Sequence, residues 1–187
     1  MKNYQQIDFS ELELDELVNY ITDKHHAYCK QMLPLIYNHL QTVTTDSEKN
    51  DSGFKSVCKY FTDFTTNLEQ HLRKEEHIFF PFIKKILDAK RNKESNPLSQ
   101  VPLIENPLQI LQTEHEKLIS LLSIMRNDSH NYFAPEKSSA ALKLCYSELY
   151  DFEKDFHKHI FIEENFLFPK ILELEKSIKE PHERHTK

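Results

Sequence analysis

A chain of 187 residues can hold one domain with a sizeable core, and a single glycine leaves too little tight-turn material for an all-β fold. The formal charge of −6, with acids and bases interspersed, argues against a nucleic-acid partner or an anionic membrane surface. No apolar run approaches the roughly 20 residues of a membrane span, residues 1–8 lack a signal-peptide core, and three cysteines without a paired framework fit a reducing cytoplasm.

Residues 1–10 read as an irregular leader. The first helix is predicted to begin between Ser10 and Asp15, where acids favour a helix N-terminus. Its apolar stripe reads Leu14, Val18, Ile21, His25, Tyr28, Met32, Leu35, with the alternating steps of four and three of a bundle seam. Pro34 is predicted to kink this helix or mark its end. A polar loop over 44–53 holds the only glycine, Gly53. The second helix reads Phe54, Val57, Phe61, Phe64, Leu68, His71, Glu75, Ile78, Phe82, and Pro81 is predicted to bend it. A polar connection over 89–106 leads to Asn106-Pro107, a helix start. The third helix reads Leu108, Leu111, His115, Leu118, Leu122, Met125. The pattern breaks at Asn127–Asn131, and Pro135 is predicted to open the fourth helix. That helix reads Leu142, Cys145, Leu149, Phe152, Phe156, His159, Glu163, Phe166 and runs to about Ile178, with a kink at Pro169. Residues from Glu180 form a charged, fraying tail. The expectation is one all-α domain over 1–187, an antiparallel up-down-up-down four-helix bundle.

One motif occurs twice. His71 is followed by Glu75, Phe80 and Pro81 at offsets four, nine and ten, and His159 by Glu163, Phe168 and Pro169 at the same offsets. Residues i and i+4 share a helix face, so each copy aims an imidazole and a carboxylate the same way. His25 precedes the first copy by 46 residues and His115 the second by 44, so each half of the chain carries a lone histidine and then a His-x-x-x-Glu. Six polar side chains, His25, His71, Glu75, His115, His159 and Glu163, thus replace apolar ones on the stripes, with no seam-facing lysine or arginine among them. Buried, unpaired carboxylates cost several kcal/mol each. Two cations, each held by two imidazoles and bridged by both glutamates, remove that cost. Imidazole and carboxylate without thiolate suit iron or manganese rather than a structural zinc. A lone His-x-x-x-Glu is more often a surface pair or a satisfied core histidine. The duplication on two seams outweighs that reading.

In this order, with Phe-Pro closing both ligand motifs, the residues resemble the hemerythrin-like di-iron proteins, and more narrowly the RIC (repair of iron centres) family. The match runs from about Leu14 to Leu172. It implies a hemerythrin-like bundle with two bridged iron ions, in preference to manganese or zinc, on His25, His71, Glu75, His115, His159 and Glu163. It also implies a cytoplasmic stress protein that helps repair iron–sulfur clusters damaged by nitric oxide or peroxide, by donating iron or by nitric oxide chemistry. The partners implied are proteins with damaged clusters and small diatomic ligands. Neither nucleic acid nor membrane is expected, and the chain would be a monomer or a dimer. Longer family members carry a small N-terminal cysteine-containing domain; with a ligand already at residue 25, the chain is read as lacking it. Two alternatives stay open: a reversible dioxygen or nitric oxide binder without turnover, and a structural bundle that takes zinc adventitiously.

Glu114 precedes a ligand and, by the same resemblance, is read as an acid that shuttles protons or gates iron release, against a solvated helix face. His26 is read as facing a neighbouring helix or solvent, because consecutive helical residues diverge by about 100°. His77 and His157 are read as surface or supporting residues. Cys29, Cys58 and Cys145 are read as small buried hydrophobes, and Tyr28 as core.

Overall fold

The computed structural model describes residues 7–43, 46–92 and 105–179. The expected leader therefore begins outside the described residues, as do most of the 89–106 connection and the tail. Four long helices form the bundle. Helix α1 is continuous through Leu14–Tyr20, Ile21–His26 and Ala27–Thr42. A short helix α2, Asp46–Lys49, interrupts the predicted polar loop. Helix α3 runs through Ser52–Lys74, Glu75–Phe79 and Phe80–Arg91. Helix α4 is Glu105–Asp128, and α5 runs through Ala140–Ile162, Glu163–Leu167 and Phe168–Lys179. No strand occurs among the described residues. No described helix is long and apolar enough to cross a membrane. The closest packing is of α3 along α4 and of α1 along α5.

Local chemistry sets the ends. The Asp51 side chain accepts from Phe54 N–H at 2.9 Å and caps α3. Ser139 accepts from Leu142 N–H at 3.1 Å and caps α5, so that helix starts at Ala140 rather than at Pro135. His130, Asn131 and Tyr132 turn the chain out of α4 with positive φ values of 52°, 62° and 56°. Gly53 sits where a Cβ would lie 2.2 Å from the Asp128 carbonyl oxygen, so only glycine lets the start of α3 approach the end of α4 this closely.

Three of the long helices contain a π-helical turn: Ile21–His26, Glu75–Phe79 and Glu163–Leu167. In the second and third, Phe80 N–H donates to the Glu75 carbonyl and Phe168 N–H to the Glu163 carbonyl, an i to i−5 bond. Each such turn adds one residue and slides the buried stripe by one position. After the first, the buried residues are His26, Cys29, Leu33, Ile36 and Leu40, not Tyr28, Met32 and Leu35 as a uniform helix requires. After the second they are Phe79, Ile83 and Ile86, leaving Ile78 exposed; after the third, Leu167, Ile171 and Leu174, leaving Phe166 only half-buried. Helix α4 has no π turn, and Leu108, Leu111, His115, Leu118, Leu122 and Met125 are all buried as read.

None of Pro34, Pro81 and Pro169 ends its helix. Helix α1 continues past Pro34 to Thr42. Pro81 and Pro169 follow directly on π turns, where the wider i to i−5 pattern already departs from the ladder their missing N–H would break.

The core is divided. One apolar cluster contains Cys29, Leu33, Phe61, Phe64, Leu118, Leu122, Phe152 and Phe156, with contributions from all four long helices. A second, around Leu17, Ile21, Phe79, Ile83, Leu111, Leu167 and Ile171, also draws on all four. The buried His25, His26, His71, Glu75, His115, His159 and Glu163 belong to neither cluster and lie where each long helix passes from the one to the other.

Candidate metal centre

Two groups of potential ligands occur among the described residues, and they share both glutamates. One is His26, Glu75, His159 and Glu163; the other is His71, Glu75, His115 and Glu163, the ligand atoms of each lying within 4.8 Å of one another. All six side chains are essentially inaccessible to solvent. The imidazoles of the first group come from α1 and α5, those of the second from α3 and α4, the two closest-packed helix pairs. The sequence repeat is thus not one site per half: each imidazole pair joins a residue of one half to a residue of the other.

Five of the six predicted ligand positions are brought together: His71, Glu75, His115, His159 and Glu163. The sixth is corrected. His25 lies outside both groups, and His26 takes its place. The physical reason is the π turn Ile21–His26, which widens the helix at this point and carries His26 onto the seam. His25 is buried beside the centre instead, with Nδ1 2.9 Å from Asp155 Oδ2. The reading of His26 as a residue facing away from the site is corrected for the same reason.

The close contacts are those of a ligand set. His26 Nε2 and His159 Nε2 lie 3.2 Å apart, and His71 Nε2 and His115 Nε2 3.1 Å apart. Two donors about 2.1 Å from one metal and about 90° apart lie about 3.0 Å from each other. Glu163 presents Oε1 to His159 Nε2 at 2.9 Å and Oε2 to His115 Nε2 at 3.1 Å, one oxygen to each group. Glu75 Oε2 lies 3.3 Å from His26 Nε2 and 3.5 Å from His71 Nε2. Yet Glu75 Oε1, Glu75 Oε2 and Glu163 Oε2 are buried without a hydrogen bond. Buried carboxylate oxygens with this set of imidazole nitrogens around them fit a cation, and the donor chemistry is that of a metal site.

Without metal the cluster can hold protons. Burial opposes charge on His26, but Glu163 and Glu75 beside it raise its pKa to about 10. His115 behaves alike: burial opposes, Glu163 and Glu164 prevail, and its pKa rises to about 10. His159 moves the other way, because burial dominates and disfavours its charged form. Burial pushes Glu163 up, but His159, His115 and His26 together hold it well below the usual carboxylate range.

Carboxylates orient the imidazoles from behind. His26 Nδ1–H donates to Glu76 at 2.9 Å, His71 Nδ1–H to Glu114 at 3.0 Å and His115 Nδ1–H to Glu164 at 2.9 Å. A carboxylate only accepts, so each Nδ1 carries a proton and each Nε2 is the nitrogen left facing the cluster. Lys30 pairs with Glu76, and Lys74 with Glu114. The Glu114 hydrogen bond to His71, helped by Lys74, lowers its pKa to about 2 against the opposing effect of burial. Glu114 therefore stands as a carboxylate behind a ligand.

Glu76 and Glu164 escaped the sequence reading, although the signal was there: each directly follows a repeated glutamate, in Glu75-Glu76 and Glu163-Glu164. The repeated Phe-Pro acquires a reason too. Phe80 stacks on His26 with ring centroids 5.6 Å apart, and Phe168 stacks on His115 at 5.9 Å. In each copy, then, the second glutamate and the phenylalanine secure the lone histidine of another helix. His77 is exposed, and His157 lies 3.4 Å from buried Glu153, away from the cluster. Cys29 is buried, and burial, with Asp155, Glu163 and Glu75 nearby, pushes its thiol pKa up. Cys145 is buried as well, and Cys58 is half-buried.

The helical bundle with a buried histidine–carboxylate layer defines a hemerythrin-like protein. A family model described as the hemerythrin HHE cation binding domain matches residues 17–100. The iron-sulfur cluster repair protein YtfE of Escherichia coli O157:H7 is 26% identical over 165 residues, covering 88% of this chain and 69% of that protein. The proteins of the same name from Escherichia coli O81 (strain ED1a) and Escherichia fergusonii are 25% identical over the same shares. The chain is thus similar to hemerythrin HHE domains over residues 17–100 and to the iron-sulfur cluster repair proteins over most of its length.

Proposed function

We propose that the chain holds two iron ions and helps repair damaged iron–sulfur clusters, as the names of its relatives say of them. The observation that carries this reading is the sharing of Glu75 and Glu163 by two imidazole pairs, the arrangement of a carboxylate-bridged dinuclear site. His26 and His159 would hold one ion, His71 and His115 the other, with both glutamates between. Bound iron would supply redox-active binding of nitric oxide, or would itself be the cargo for a damaged cluster. The protein's own part is positional. Glu76, Glu114 and Glu164 fix imidazole tautomers, Phe80 and Phe168 stack on two of the rings, and apolar clusters flank the layer on both sides. The free thiols Cys29, Cys58 and Cys145 fit a reducing compartment such as the cytoplasm.

The test is metal content with a visible spectrum on the full chain, before and after nitric oxide, followed by incubation with a cluster-free acceptor protein. Two irons per chain, a spectrum altered by nitric oxide, and iron appearing in the acceptor are expected. One metal or none per chain overturns the dinuclear site. Two irons that neither respond to nitric oxide nor transfer overturn the repair role.

A further inference from the structure

The support behind the four imidazoles is uneven. Three donate to a carboxylate from Nδ1, but the fourth, His159, has a buried Nδ1 with no partner. The ring beside it is His25, parallel to within 5° with centroids 5.7 Å apart. His25 is buried as well, donates from Nδ1 to Asp155 at 2.9 Å, and has an unpartnered Nε2. The tautomers are complementary. A metal on His159 Nε2 leaves the proton on Nδ1, a donor. The Asp155 carboxylate fixes the His25 proton on Nδ1 and leaves Nε2 an acceptor. A donor and an acceptor, both buried and otherwise unsatisfied, lie on adjacent rings with centroids 5.7 Å apart, and one water between them would satisfy both.

We propose that His25, held by Asp155, accepts the Nδ1–H of His159 through one water, and that the lack of a carboxylate behind His159 leaves the His26–His159 position the more weakly held of the two. A partner reached through water polarises a ligand imidazole less than a directly bonded carboxylate does, so His159 is the weaker donor to its metal. The His71–His115 position has a carboxylate behind both rings. His25 is a positioning residue, not a ligand. The inference rests on the dinuclear reading and names the ion that leaves first.

The experiment follows iron leaving the doubly loaded full chain into excess chromophoric iron(II) chelator. The wild-type protein should release iron in two phases of equal amplitude. His25→Leu should speed the fast phase by about 10-fold or more, the usual weight of a supporting partner, and leave the slow phase alone. His25→Gln, whose side-chain oxygen can accept, should return the fast phase toward wild type. Glu114→Gln should speed the slow phase only. Should His25→Leu fail to fold, Asp155→Asn speeds the fast phase in its place. A single phase from a chain holding two irons, or equal effects of the His25 change on both phases, overturns the inference. Fewer than two irons in the wild-type chain overturns the dinuclear reading beneath it.

Discussion

Helices α4 and α1 carry the same kind of apolar stripe, each with a histidine within it, yet only α4 follows a uniform helical wheel through the centre. In α4 the buried residues keep one register from Leu108 to Met125. In α1 the register before the cluster, Leu14, Leu17 and Ile21, and the register after it, Cys29, Leu33 and Ile36, are offset by the added residue of the π turn. Helices α3 and α5 behave as α1 does. In α3 and α5 the π turn begins at the glutamate shared by both ligand groups, and in α1 it ends at His26. The helices that bend their hydrogen-bond pattern hold five of the six clustered side chains, and the regular one holds only His115.

The contrast can be broken most severely at Glu163, which reaches both imidazole pairs. Glu163→Ala should cost the chain both metals, read by elemental analysis; retention of two ions would refute the bridge. Next comes the register itself. His26→Ala should remove one metal, whereas His25→Ala should retain both at equilibrium. The reverse pattern would restore a straight α1. The packing on either side of that turn gives a third comparison. Ile36 is buried while Leu35 is 37% exposed. Ile36→Ala should therefore cost about 2–5 kcal/mol, and Leu35→Ala within about 0.5 kcal/mol, by denaturant unfolding at equal metal loading. Equal losses would mean that the π turn does not set the register.

The smallest effect is in protons. In the metal-free chain His26 and His115 have pKa values raised to about 10 from 6.5. Their pairing with Glu163 therefore stabilises the fold fully below pH 6.5, and that contribution is lost as the pH climbs through about 10. Metal must displace those protons at neutral pH. Loading should acidify an unbuffered solution, and apparent affinity should rise from pH 7 toward pH 9. Uptake without proton release would contradict the pairing.

Most of the bundle was legible because α4 and the upstream halves of α3 and α5 obey one period. His71, His115 and His159 fall on that uninterrupted part, and Glu75 and Glu163 stand at its end, as the first residues of the π turns. A wheel of constant pitch favours His25 over His26, because it has no place for an extra residue. The sequence did contain the discrepancy. Cys29, Leu33, Ile36 and Leu40 form a stripe of their own, one step out of phase with Ile21 and His25. Phe79, Ile83 and Ile86 do the same after Glu75. Comparing stripes on either side of each candidate ligand, rather than extending one through it, would have placed His26. The roles of Glu76, Glu164, Phe80 and Phe168 were not legible, because each serves a histidine on another helix and depends on how the four helices align.

The division of the core has a consequence for how loading and rigidity relate. The two apolar clusters meet only across a layer of imidazoles and carboxylates. A pair of ions held by all four long helices in that layer, as proposed, would act as a rivet between two separately packed ends. Whatever binds the assembled layer and not the separated ends shifts the balance toward the closed bundle by mass action. Surrendering a metal and loosening one end against the other are then the same equilibrium seen from two sides.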